Sequence, residues 1–290
     1  MKIVQLNGGL GNQMFQYAFA LSLKNKFQHE KILIDPNIYM LSKIHTGFEI
    51  NKLFNLEIKN SSIIQQIRLF YPFWNYKSFK FVKDYLPLRN KVLFETQDGC
   101  YDKSYKEIAG SAYYIGFWQS EKYFFEIREN LLETFKFPPE KNTKNLSLKE
   151  KIFGKNYVSI HIRRGDYLNY INTQDICHIN YYKESIEIIM KLINPDGFII
   201  FSDDINWCKQ KIIPLLCNNN YILVDWNQNQ NSFRDMELMS YCKHNIIANS
   251  TFSWWGAWLN KNKKKIVIAP KKWMQNGEWK DIIPDTWIKI

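Results

Sequence analysis

The stretch Tyr157-Val158-Ser159-Ile160-His161-Ile162-Arg163-Arg164-Gly165-Asp166-Tyr167 decides how this chain of 290 residues folds. Its opening residues are mostly β-branched or aromatic, the composition of a strand. The run then stops at two arginines, a glycine and an aspartate. In an open α/β sheet, ligands bind beyond the carboxyl ends of the strands, and this charged cluster falls at such an end. Adjacent arginines there can aim guanidinium forks at a diphosphate in charge-assisted, bidentate bonds, with Asp166 placed to fix one rotamer. The plainer alternative is a surface ion-pair turn.

Runs of the same kind lie at residues 3–6, 31–35, 112–118, 198–201, 221–224, 245–248 and 265–269. Several are apolar on both faces, as parallel strands buried between helices must be. Helix-like segments fall between them at 12–27, 121–135, 181–192, 206–216, 233–243 and 253–260. The second half alternates strand and helix through short connections, the pattern of βαβ units in a doubly wound sheet. Residues 36–110 are rich in aromatics and weak in periodicity. Phe137-Pro138-Pro139 followed by the polar stretch 140–150 has the composition of an inter-domain connection, because two prolines cannot continue a helix. The expected division is 1–150 and 151–290.

Composition narrows the class. Hydrophobic residues at 46% supply a full core and exclude global disorder, while the formal charge of +11 admits nucleic acid, membrane or a phosphorylated small molecule as partner. The positive balance is nearly equal in the two halves, so there is no basic arm. That even spread argues against nucleic acid. Five scattered cysteines without C-x-x-C spacing argue against a disulfide framework and a zinc site, and fit a reducing cytoplasm. The chain shows no secretory h-region and no apolar stretch of membrane-spanning length. The lysines at 261 and 263–265, with Lys271 and Lys272, would allow peripheral contact with anionic lipid at the inner face of the cell membrane, but also suit a solvated face.

Four further motifs carry polar chemistry. Asn7-Gly8-Gly9-Leu10-Gly11-Asn12-Gln13 joins a strand to a helix, and Asn12 and Gln13 add side-chain donors where a plain turn needs none. It lacks both the dinucleotide and the P-loop spacing. Phe201-Ser202-Asp203-Asp204 stands at another strand end, as a metal or ribose site or as a helix cap. Ser232 and Asp235 have the spacing of a capping box, although Asp235 could instead accept two guanine N–H groups. Asn249-Ser250-Thr251-Phe252-Ser253 places hydroxyls and amides where a strand hands over to a helix, an anion cradle. The Trp254, Trp255 and Trp258 that follow suit either core or interface.

Taken together, Gly8–Ala18 (GGLGNQMFQYA), Gly116–Phe124 (GFWQSEKYF), His161–Tyr167 (HIRRGDY) and the closing NSTFSWWGAWLN resemble the bacterial α-1,2-fucosyltransferases of glycosyltransferase family 11. The resemblance implies an α/β, GT-B-like fold of two Rossmann-like domains facing a cleft. Residues 1–150 would be the acceptor side and 151–290 the GDP-fucose-binding side. It implies an inverting enzyme that moves L-fucose from GDP-β-L-fucose to the 2-hydroxyl of a terminal β-galactoside in a surface glycan such as an O-antigen. By the same resemblance Arg163 and Arg164 hold the diphosphate, His161 and Asp235 contact the guanosine, and Ser250, Thr251 and Ser253 line the phosphates, with Asn12, Gln13, Asp203 and Asn249 also at the substrates. This turns Asp235 from cap to ligand and takes Asp203 and Asp204 away from a metal. Asp166 and Glu121 are the candidates for a general base. No metal or cofactor is expected, since no D-x-D is present. Of the arginines, Arg163 alternates with His161 along the strand and is expected to face the leaving group. The alternatives are transfer of another GDP-linked sugar or linkage, and a non-catalytic glycan-binding protein. The latter would explain the aromatics but not the adjacent arginines.

Overall fold

The computed structural model describes residues 1–41, 46–69, 92–169, 172–173, 176–217 and 219–290. The chain divides into two units, Met1–Pro138 with Glu278–Ile282, and Pro139–Gly277 with Ile283–Ile290. The division falls at the paired prolines and not at residue 150. The polar stretch after them is largely a helix, Thr143–Ile152 (α3), started by Asn142, whose side chain accepts the Lys144 N–H at 2.9 Å. Leu148 and Ile152, four apart on one face, pack into the second unit's core. So few apolar residues among many lysines made this helix look like a linker.

The first unit is built on a four-stranded sheet of Lys2–Gln5 (β1), Ile32–Asp35 (β2), Val92–Phe94 (β3) and Ala112–Ile115 (β4), in the order β2-β1-β4-β3 with every pair parallel. Leu10–Lys26 (α1) follows β1 and is buried almost continuously from Leu10 to Leu23. The strand expected at 112–118 ends at Ile115, since Gly116 follows and Trp118 takes a φ of 55°. The helix expected at 121–135 is broken into turns at Glu121–Tyr123 and Phe125–Ile127 before Arg128–Thr134 (α2). The three-residue β3 lies in the stretch of weak periodicity, where its pattern was illegible.

The second unit carries six parallel strands: Tyr157–Ile162 (β5), Gly197–Ser202 (β6), Tyr221–Val224 (β7), His244–Ile246 (β8), Val267–Ala269 (β9) and Ile288–Lys289 (β10). Their order is β10-β9-β8-β5-β6-β7. Helices cover both faces. Val158, Ile160, Ile162, Phe198 and Ile200 pack with Tyr181, Tyr182, Ile186 and Ile189 of Ile179–Leu192 (α4). Tyr157, Ile199 and Phe201 pack with α3 and with Leu238 and Met239 of Phe233–Tyr241 (α5). The period-two alternation thus feeds two separate cores from one strand. The helix expected at 206–216 is irregular, running through Ile205–Trp207, a wide turn at Cys208–Ile212 and a tight one at Ile213–Leu216. Pro214, which cannot donate an N–H, stands where the winding tightens.

Thr251–Leu259 (α6) is buried from Ser253 onward. Trp254 and Trp258 stack at 6.1 Å, with Trp255 edge-on to both, so the three tryptophans are core. Truncating one such ring costs about 3–5 kcal/mol. Gly256 lets α6 approach α5, because a Cβ there would stand 2.9 Å from that of Met239. This contact fixes where α5 and the start of α6 lie relative to the strand ends. Among the described residues no helix is long and apolar enough to cross a membrane.

Candidate active site

At the carboxyl ends of β5 and β6, two arginines meet two aspartates. The Arg163 Nη1 lies 3.1 Å from Oδ2 of Asp203, and the Arg164 Nε lies 3.3 Å from Oδ2 of Asp204. Asp203 also accepts the Arg164 backbone N–H at 2.8 Å, so one carboxylate ties both arginines down. Each guanidinium faces an aromatic ring as well, Arg163 with Tyr167 at 5.5 Å and Arg164 with Trp207 at 4.3 Å. Side chains this exposed, 25–32%, make pairs that contribute about 0–1 kcal/mol to stability. Their consequence is orientation. Asp204 in addition caps the turn at Ile205–Trp207, accepting the Trp207 N–H at 3.0 Å. Asp204 thus fills the helix-cap alternative, and the contact of both aspartates with the arginines is one that the sequence did not suggest. Two aspartates just past β6 hold the arginines among the described residues. Asp166 opens a short turn, Asp166–Asn169, and its side chain lies outside the described residues.

Arg163 and Arg164 line a cavity of about 330 Å³ whose wall includes Tyr167, Cys177, Trp207, Lys211 and Asn249. Sequence reasoning missed Trp207 and Lys211. Trp207 sits three residues past Asp204, one turn onward, which is a detectable spacing once the aspartates are suspected. Lys211 makes no ion pair among the described residues, and adds positive charge to the wall beside the two arginines.

His161 is 6% exposed, and its buried Nδ1 has no hydrogen-bond partner among the described residues. Burial, with Arg163 nearby, holds its pKa down to about 3, so the ring is neutral. The ring lies 5.7 Å from that of Phe252, which puts the first turn of α6 beside the end of β5. Ser250 occupies the N-cap of α6, yet its side chain makes no capping bond, and the first residue, Thr251, is only half-buried. The first-turn N–H groups are thus left to an anion or water. Ser253 departs from expectation. It is fully buried, and its hydroxyl is directed at the carbonyls of Ala248 and Ser250 at 3.5 and 3.3 Å. The Asn249 amide is likewise committed, donating to the Trp273 carbonyl at 3.1 Å and accepting from the Cys177 thiol at 3.5 Å. It shapes the cavity wall.

The capping-box reading of Ser232 and Asp235 fails, because Ser232 has helical backbone angles and no side-chain cap bond. The Asp235 carboxylate instead accepts from Asn227 Nδ2 at 2.9 Å. Burial pushes its pKa up to about 7, and that hydrogen bond offsets only part of the cost.

In the first unit, Gln13 is spent on the fold. Its amide donates to the carbonyls of Gly8 and Gly47, and its oxygen accepts from the N–H groups of Glu49 and Ile50. It is a loop tether, buried at 0% exposure. Asn12 accepts from Gln119 at 2.8 Å and is half-buried. Gly8, with φ of +85°, supplies a backbone conformation that side-chain-bearing residues rarely adopt. Glu121 opens a short turn capped by Ser120. Among the described residues, no group of three or more His, Cys, Asp or Glu could hold a metal ion.

The Escherichia coli alpha-1,2-colitosyltransferase is 37% identical over 99% of this chain and 98% of its own length. The Escherichia coli O-antigen biosynthesis glycosyltransferase WbnK is 32% identical over 98% and 99%. Among solved structures, the NodZ alpha-1,6-fucosyltransferase soaked with GDP-fucose superposes with a TM-score of 0.52 at 14% identity, covering 89% of this chain and 91% of that one. That likeness, with the two parallel-sheet units, makes the fold GT-B-like. The family model for glycosyl transferase family 11 matches residues 1–290, and the chain belongs to that family.

Proposed function

We propose that the protein moves L-fucose from GDP-β-L-fucose, with inversion, to the 2-hydroxyl of a terminal β-galactoside in a surface glycan. The observation that carries this reading is the arginine pair, held by Asp203 and Asp204 over a cavity at the strand ends. As the bond from fucose to the β-phosphate breaks, negative charge builds on the phosphate oxygens. Preorganised guanidinium donors bind that charge more strongly in the transition state than in the ground state. Lys211 and the uncapped start of α6, with Ser250 and Thr251, add to the same field. His161, as a neutral ring, and Asp235 serve the guanosine. No metal takes part in this scheme, and the first unit is assigned to the acceptor.

Colitose is L-fucose without its 3-hydroxyl, and the 37% relative is a colitosyltransferase. GDP-colitose is therefore the second donor to test. GDP release is measured from each donor with and without lactose. Lactose-dependent release from GDP-fucose, with a fucosyl-(α1,2)-galactose product, is expected. Faster release from GDP-colitose would move the sugar assignment, and release from neither would overturn the reading.

A further inference from the structure

Behind Asp235 lies a closed chain of buried amides. Asn227 Nδ2 donates to both Asp235 Oδ1 at 2.9 Å and Asn145 Oδ1 at 3.0 Å, and Asn145 Nδ2 returns a bond to Asn227 Oδ1 at 2.9 Å. Asn145, fully buried on α3, also accepts from Trp226 Nε1 at 2.7 Å and donates to Glu140 at 2.8 Å. Its amide is saturated, with both N–H groups and both lone pairs used. Turning Asn227 over would break three bonds at once.

The neighbouring carboxylates are treated differently. Glu140 pairs with Arg234, and Glu237 pairs with both Arg234 and Lys149. Among the described residues Asp235 receives no cation. Its one hydrogen-bond partner among the described residues is the neutral Asn227. A carboxylate kept for stability alone would share the cations beside it. One held by a single rigid donor keeps its remaining acceptor capacity for a ligand that brings its own N–H groups.

We propose that Asn227, locked by Asn145, is a positioning residue that aims the Asp235 carboxylate at the purine base of the donor. This rests on the reading of Asp235 as the guanine contact. Guanine offers N1–H and a 2-amino group, whereas hypoxanthine offers N1–H alone. The test is calorimetric binding of GDP and inosine diphosphate to the wild type, Asn227→Ala and Asp235→Asn, with a thermal melt of each. The wild type should prefer GDP by about tenfold or more, as loss of one hydrogen bond to a charged group predicts. Asn227→Ala should lose most of that preference while staying folded. If it instead weakens both nucleotides equally, or changes neither, Asn227 is merely structural and the proposal is wrong. Should Asn227→Ala fail to fold, Asn227→Ser keeps a donor of shorter reach and carries the same comparison. A wild type with no preference, matched by Asp235→Asn, would overturn the guanine reading itself and the proposal with it.

Discussion

Gly165 and Asp203 stand so close that a methyl group on the glycine would lie 2.9 Å from the aspartate's Oδ2, the atom that holds Arg163. Glycine is needed here for space, since its backbone is not in the left-handed region. Gly165→Ala should push Asp203 off both arginines. Because such pairs are worth about 0–1 kcal/mol in stability, the melting temperature should barely move. Donor kcat/KM should fall by about tenfold. An alanine variant with wild-type kinetics would show that Asp203 does not set the arginine geometry.

Metal independence is the outcome expected if the two aspartates stay with the arginines. Asp204 spends one oxygen on the Trp207 N–H and the other on Arg164, and Asp203 spends both on the arginines. A divalent ion would have to compete with these donors for both carboxylates. Full transferase activity should survive EDTA. A loss reversed by Mn²⁺ or Mg²⁺ would show that the aspartates leave the arginines to bind metal.

GDP binding should strengthen as pH rises through about 7. Burial holds the Asp235 carboxyl protonated up to about that value, and only the ionised form accepts from both guanine N–H groups. The sign for stability is opposite. A carboxyl whose pKa is raised in the folded state contributes fully below its unfolded value and loses that contribution as pH rises through the folded one. Asp235→Asn should therefore flatten the pH dependence of GDP affinity, and melt no lower than wild type above about pH 7 without ligand. Comparison with this variant cancels the nucleotide's own phosphate titration. His161, neutral with its pKa near 3, adds no step in this window. An Asp235→Asn protein with the wild-type pH slope would remove Asp235 from the base-binding role.

The second unit was legible because its strands are short, apolar on both faces and followed at once by polar motifs. β5 and β7 match their expected limits, and β6 between them runs one residue further at each end. What could not be read was partnership across the sheet. Sequence adjacency points to Asp166 as an anchor for the arginines and says nothing of β6, whereas register places Ile162 of β5 opposite Ser202 of β6 and so brings in the next two residues, Asp203 and Asp204. Gln13 and Ser253, expected at the substrates, are engaged with backbone groups of the fold, and their letters could not show it. A polar side chain in a motif carries the same letter whether it faces a ligand or a backbone carbonyl. Part of the 36–110 stretch, where periodicity was weakest, lies outside the described residues.

The arginine pair carries the last prediction. The strand alternation that puts Arg163 on the His161 side singles it out as the leaving-group contact, but the geometry weights the two differently. Arg163 already commits Nη1 to Asp203. Arg164 commits only Nε, to Asp204, and is stacked on Trp207, so its two terminal amino groups make no hydrogen bond among the described residues. Two parallel bonds to one phosphate need two such donors in a fixed plane, which lysine cannot supply. Arg164→Lys should therefore lose at least ~10²-fold in kcat, the range for removing one preorganised donor. Arg163→Lys should lose as much or less, because its replacement still pairs with Asp203. Steady-state kinetics with GDP-fucose and a β-galactoside, alongside melts with and without GDP, separate chemistry from folding. If both lysine variants keep wild-type kcat and GDP still raises their melting temperatures normally, the diphosphate does not lie against these arginines.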